Sequence, residues 1–119
     1  MHRYDWGVRR LLDAMDSADA MEWLDLAGPE YGVIHELTHD ESVELASMAL
    51  AKGAVSIKVL GEISLDRLQD TNVDWLLIEL PDSKEDRAAL FDLEKEIAAR
   101  VGFMPSVDEG QRYIALRFT

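Results

Sequence analysis

The chain has 119 residues and no cysteine, and its 24 acidic and 12 basic side chains give a formal net charge of −12. This length supports one domain with a substantial core, and the absence of cysteine excludes disulfides, thiolate catalysis and cysteine-ligated zinc. The acid excess repels phosphate groups, so no nucleic-acid partner is expected. No stretch approaches the ~20 apolar residues of a membrane span, and the first residues have no apolar signal segment. We therefore expect a cytoplasmic protein that does not bind membranes.

Residues 1–28 are predicted to form an N-terminal helical arm that is broken near Asp16. The first half of the arm has apolar residues at helical spacing. They are Val8, Leu11, Leu12 and Met15. The second half is an apolar run that Gly28 and Pro29 are expected to end, because neither residue favours a helix interior. The arm thus has an apolar stripe that can cover another surface.

Residues 31–119 are predicted to form the folded core. Alternation of apolar and polar residues predicts strands, and apolar residues three or four apart behind capping residues predict helices. In chain order the predicted elements are a strand at Tyr31–Leu37, a helix at Asp40–Lys52, a strand at Ala54–Ile63, a strand at Val73–Leu80, a helix at Ser83–Val101 and a strand at Arg112–Phe118. This βαββαβ order is that of ferredoxin-like domains.

The strand at Val73–Leu80 is apolar on both faces, which is typical of a strand in the interior of a sheet. A ferredoxin-like arrangement gives it that position. The arrangement is an antiparallel sheet of order 4-1-3-2 with both helices on one face. The fold class predicted from the sequence is therefore α+β, a ferredoxin-like core preceded by a helical arm.

The residues His35-Glu36-Leu37-Thr38-His39 spell HExxH. On a helix, two histidines four residues apart share a face and can bind zinc, with the glutamate as general base. The run resembles the zinc-binding motif of the thermolysin-like metalloproteases. The resemblance implies a small zinc-dependent hydrolase in which His35, His39 and Glu62 bind the metal. Glu36 would then activate the attacking water.

Local patterns favour a different structure for this motif. Thr38 and Glu41 have the form of a capping box, which predicts that a helix begins between the two histidines. The alternation before Thr38 predicts a strand, in which side chains four residues apart lie ~13 Å from each other, too far to share one metal ion. We therefore expect no zinc and no other cofactor. The zinc hydrolase is the alternative to a noncatalytic protein.

The predicted sheet has a second face, directed away from the two core helices. Five side chains of this face form the predicted binding surface. They are Lys58, Trp75, Leu77, Tyr113 and Arg117. A face with these aromatic and aliphatic groups is too apolar to be left bare on a soluble monomer. We expect the N-terminal arm, a second subunit or a partner to cover it. We predict a noncatalytic protein-binding or regulatory module that uses this face to bind another protein or to form a homodimer.

Overall fold

The computed structural model describes residues 3–34 and 37–117, and these residues form an α+β fold. The helices are α1 Arg3–Ala14, α2 Ala20–Tyr31, α3 His39–Ala51 and α4 Lys84–Val101, and the strands are β1 Asp16–Asp19, β2 Ser56–Glu62, β3 Asn72–Glu79 and β4 Tyr113–Arg117. A short 3₁₀ turn, Leu68–Asp70, lies between β2 and β3. Within the described residues, no helix is long and apolar enough to cross a membrane.

The four strands form one antiparallel sheet whose spatial order follows the chain, β1-β2-β3-β4. β3 pairs with β2 on one side and with β4 on the other, in agreement with its predicted interior position. The predicted order 4-1-3-2, which numbers the four predicted strands along the chain, is wrong. The ferredoxin-like topology is wrong with it. β4 lies directly beside β3, with no other strand between them, and β1 forms the opposite edge of the sheet.

The strand predicted at Tyr31–Leu37 is not found in the described part of that range. Tyr31 is the last residue of α2, and Gly32–Ile34 have neither helical nor strand structure. The prediction failed because Gly28 and Pro29 kink α2 and do not end it. Gly28 adopts φ 68° and ψ −172°, and Pro29 starts the resumed turn, where its missing N–H removes no helical hydrogen bond. The first strand is β1, inside the predicted arm.

The two helices predicted for the core are confirmed, and their ends follow the predicted capping. Thr38 Oγ1 accepts from the Glu41 N–H, and the Glu41 carboxylate accepts from the Thr38 N–H, both at 3.1 Å. Ser83 caps α4 by accepting from the Asp86 N–H. Gly102 ends α4 in the left-handed region, at φ 83°, where glycine has no steric penalty.

The sheet separates two apolar clusters. The larger cluster joins α2, α3 and α4 to one side of the sheet. Its large buried members include Trp23, Leu24, Ile57, Leu76, Ile78, Leu90 and Ile114. The smaller cluster joins α1 to the other side, and its buried members are Val8, Leu60 and Leu77. Helix α2 therefore belongs to the main core, and α1 is the part of the predicted arm that packs on the other face.

Candidate functional site

Helix α1 lies across the side of the sheet that faces away from α2, α3 and α4. Val8 packs with Leu60 of β2 and Leu77 of β3, and all three side chains are buried. Half-buried residues surround this contact. They are Tyr4, Leu11, Leu12, Met15, Trp75, Tyr113 and Ala115. Helix α1 thus covers the centre of the apolar face. We call α1, together with the sheet side chains on this side and Arg112 at the start of β4, the outer layer.

Two side chains of α1 hydrogen bond the backbone at β4, an edge strand. The Tyr4 hydroxyl accepts from the Ala115 N–H at 2.6 Å and donates to the Ala115 carbonyl oxygen at 3.4 Å. Both carboxylate oxygens of Asp5 accept from the Arg112 N–H at 2.9 Å. Burial is the largest influence on the Tyr4 hydroxyl and raises its pKa above the ordinary value. These bonds hold α1 over β4 and satisfy backbone groups at an exposed sheet edge.

The outer layer concentrates arginine–aromatic pairs. Three such pairs occur in the described part of the chain, and all lie in this layer. They are Arg10 with Trp6 at 5.1 Å, Arg112 with Tyr113 at 5.5 Å and Arg117 with Trp75 at 5.6 Å, measured from the guanidinium carbon to the ring centroid. At these distances the cation is attracted to the ring face. Trp6 is nevertheless 56% exposed, so more than half of the residue remains accessible to solvent.

Helix α1 also differs in charge from the rest of the chain. Residues 1–15 contain three arginines and two aspartates, a net charge of +1, whereas residues 16–119 contain nine basic and 22 acidic side chains, a net charge of −13. The surface over α1 therefore repels an acidic partner less than the net charge of the chain implies.

The five residues predicted for the binding surface differ in accessibility. Leu77 is buried beneath α1, which puts it out of reach of a partner. Trp75 and Tyr113 are half-buried, whereas Lys58 and Arg117 are exposed. Trp75 is the cross-strand partner of Arg117, and Leu77 that of Lys58. Because cross-strand partners share a face of a sheet, the structure brings these side chains to the same side.

The HExxH run does not lie on one helix. α3 begins at His39, Thr38 is its N-cap with an extended backbone, and Leu37 is outside the helix. His35 and Glu36 lie outside the described residues. A zinc site of this type needs both histidines on one continuous helix. The described part of the run therefore lacks the helix that the zinc hydrolase requires.

The other two predicted zinc ligands, His39 and Glu62, belong to different elements and have different surroundings. His39 Nδ1 lies 2.7 Å from the carbonyl oxygen of Gly32, in a local hydrogen bond. Glu62 is the last residue of β2, and its side chain is exposed. Within residues 3–34 and 37–117, no three histidine, aspartate or glutamate side chains are grouped as a metal site requires. Elemental analysis of the purified protein tests the zinc alternative directly.

A buried carboxyl group connects α4 to the loop before β4. Glu94 is 1% exposed and accepts from both the N–H and the hydroxyl of Ser106, each at 2.9 Å. Burial is the largest influence on this carboxyl and raises its pKa. The Ser106 hydroxyl also interacts with the Tyr4 hydroxyl. Glu94, Ser106 and Tyr4 therefore form a polar chain that links α4 to α1 at the β4 edge.

The acidic loop before β4 is held in place by Arg87 of α4. Its guanidinium donates to the Asp108 carboxylate at 2.7 Å and to the Gln111 carbonyl oxygen at 2.8 Å. The Arg87 bond lowers the pKa of Asp108. The buried Gln111 side chain bonds the loop backbone at Val107 and Glu109. These polar residues are thus explained by the conformation of the loop.

Comparisons with protein-family models, with curated proteins and with solved structures found no match to this chain.

Proposed function

We propose that this protein is a noncatalytic module that binds another protein through its outer layer. The observation that carries the proposal is the presence of the arginine–aromatic pairs in this one layer. Tryptophan, tyrosine and arginine are enriched among the few residues that dominate the binding energy at protein interfaces. Trp6 is the largest of the exposed apolar side chains in the described residues, so it is the natural central anchor.

The partner is expected to differ from this chain in charge. Two copies would each carry a net charge of −12 over the whole chain, and this long-range repulsion opposes a homodimer. The layer itself offers the guanidinium group of Arg10 beside Trp6, and Arg3 adds a second one on the same helix. A fitting partner presents an apolar pocket for the Trp6 ring with carboxylates at its rim. Such charges act mainly on the association rate and on the choice of partner.

Affinity capture with matched variants tests this proposal. The immobilised wild-type protein and two double variants are exposed to an extract of the cells that express it, and the retained proteins are quantified by mass spectrometry. Trp6→Ala/Arg10→Ala alters the outer layer. Met104→Ala/Lys95→Ala is the control, because it also removes an exposed apolar and an exposed basic side chain, but in and after α4.

We expect a protein that the wild type and the control retain and that the outer-layer variant retains at least tenfold less, as for loss of an interface hot spot. Direct titration with that purified protein then gives the dissociation constants. If the outer-layer variant retains the same proteins in the same amounts as the wild type, the proposal is wrong. Sedimentation velocity on the wild type tests the alternative partner, a second copy of the chain, which would sediment as a dimer.

A further inference from the structure

A cleft runs between α3 and α4, on the opposite side of the sheet from the outer layer. Its floor is apolar, formed by Leu45 of α3 with Leu93 and Ile97 of α4, and Met48 and Val101 line its walls. The floor residues are buried, and the wall residues are half-buried. The lining residues of α3 extend over roughly 10 Å along the helix axis, about two turns, at 1.5 Å per residue.

The volume of the cleft limits what it can hold. It measures about 210 Å³, whereas sites for small molecules and cofactors usually enclose roughly 300–1,000 Å³. The cleft is therefore small for a whole ligand of that kind but large enough for one or two apolar side chains. This size fits the anchoring residues of a macromolecular partner.

The rim of the cleft is acidic. Three carboxylates line it, those of Glu41, Glu44 and Glu96, against one guanidinium, that of Arg100. Arg100 already forms an ion pair with Glu41 across the cleft, between α4 and α3. The lining therefore keeps a net charge of −2, within a chain of net charge −12. An occupant with basic side chains on both sides of its apolar anchors complements this pattern.

We infer that the α3–α4 cleft is a second binding site, which takes a basic amphipathic helix of a partner protein. The walls are two helices whose backbone groups are bonded internally, so an extended segment would find no backbone partner there. A helix satisfies its own backbone and can set one or two apolar side chains of one face, three or four residues apart, into the groove. The half-buried Met48 adds a flexible surface that adapts to such anchors. This inference is independent of the outer-layer proposal.

A synthetic peptide tests this site without knowledge of the natural partner. The probe is a fluorescent helix of about 15 residues, long enough to be partly helical in water, with leucines on one face and lysines elsewhere. A scrambled peptide of the same composition lacks the apolar stripe. Fluorescence anisotropy measures both affinities, and amide chemical-shift changes in the isotope-labelled protein locate the bound peptide. We expect tighter binding of the striped peptide, with the largest shifts in α3 and α4.

Two charge-matched variants separate a specific site from general attraction to an acidic protein. Glu44→Gln/Glu96→Gln neutralises the rim, and Glu62→Gln/Asp66→Asn removes two exposed charges at the end of β2. The rim variant should weaken binding by about three- to tenfold. The control should change it by less than about twofold, because Glu62 and Asp66 do not line the cleft and exposed charges are screened by salt.

Equal weakening by both variants would overturn the inference, as would equal binding of the two peptides or no binding at all. Shifts centred on α1 would overturn it too, and would assign the peptide to the outer layer. Because the two surfaces give separate sets of shifted amides, failure of one proposal is distinguishable from failure of the other.

Discussion

The Tyr4 hydroxyl and the Ala115 amide lie 2.6 Å apart although 111 positions separate them in the chain. This bond joins α1 to the sheet edge at β4. We predict that Tyr4→Phe lowers the free energy of unfolding by about 1–3 kcal/mol, because the Ala115 N–H loses its acceptor in a partly buried position. Urea denaturation measures the change. Tyr31→Phe, at the exposed end of α2, is the control and should stay within about 0.5 kcal/mol of the wild type. Equal losses in both variants would contradict the role given to Tyr4.

The contact of Val8 with Leu60 and Leu77 predicts how α1 can be released. Val8→Asp would place an unpaired carboxylate against buried aliphatic groups, so we expect α1 to leave the sheet. The exposed face should then bind a hydrophobic dye and promote self-association. Amide hydrogen exchange in α1 measures the release. Ala14→Asp adds the same charge at an exposed position of this helix and should change neither property. Undiminished protection of α1 in the Val8→Asp variant would show that other contacts suffice to hold it.

Glu94 predicts a loss of stability as the pH rises. Its pKa is raised in the folded protein, so the unfolded chain releases this proton at a lower pH than the folded protein does. The contribution of Glu94 is therefore fully present below the unfolded pKa and is lost as the pH rises through the folded pKa. Glu94→Gln keeps a hydrogen-bonding amide beside Ser106 but cannot ionise.

The free energy of unfolding of Glu94→Gln, relative to the wild type, should thus increase from acidic to neutral pH. Urea denaturation over that range measures the difference. Glu96→Gln, exposed on the same helix, is the reference variant and should show a much smaller trend. A difference between Glu94→Gln and the wild type that does not change with pH would rule out this effect of burial.

Two glycines are predicted to respond to alanine in opposite directions. Gly61 lies where the β2–β3 register shifts, at φ 152°, and an added Cβ would lie 2.1 Å from the Asn72 carbonyl oxygen. Gly61→Ala should therefore cost at least about 2 kcal/mol, since a backbone atom must move. Gly7 lies inside α1 with open space around it, so Gly7→Ala should stabilise by about 0.5–1 kcal/mol. Thermal denaturation reports both, and changes of the same sign would contradict the prediction.

Elements with strong local signals are the ones that the sequence predicts. Capping residues and an apolar stripe identify α3 and α4, and turn residues on both sides identify β3, because these signals act over a few residues. β1 has no such signal. Asp16-Ser17-Ala18-Asp19 is poor in strand-forming residues, and its strand structure comes from pairing with β2. That pairing depends on tertiary structure, which local sequence patterns do not contain.

The outer layer could be predicted in part. Alternation along β3 groups Trp75 with Leu77, because side-chain direction in a strand is a local property. Alternation does not predict that α1 buries Leu77 and leaves Trp75 half-exposed, since this depends on where the helix crosses the sheet. Full burial of Trp75 would make Trp75→Ala cost roughly 3–5 kcal/mol, and its partial exposure lowers the expected cost. Trp6 and Arg10 carried a usable signal. They are four residues apart on a predicted helix, so their side chains are neighbours, and neither belongs to the apolar stripe of α1.

The packing of α1 on β4 also sets the timing of folding during protein synthesis. Helix α1 leaves the ribosome early, but its hydrogen-bonding partners Arg112 and Ala115 are translated more than a hundred residues later. At typical elongation rates this interval lasts on the order of 5–20 seconds. Throughout it, α1 has no β4 to bond with, and Leu77, once it has been translated, lacks its complete cover. The nascent chain therefore presents an apolar surface to chaperones, or to neighbouring nascent chains, until β4 emerges.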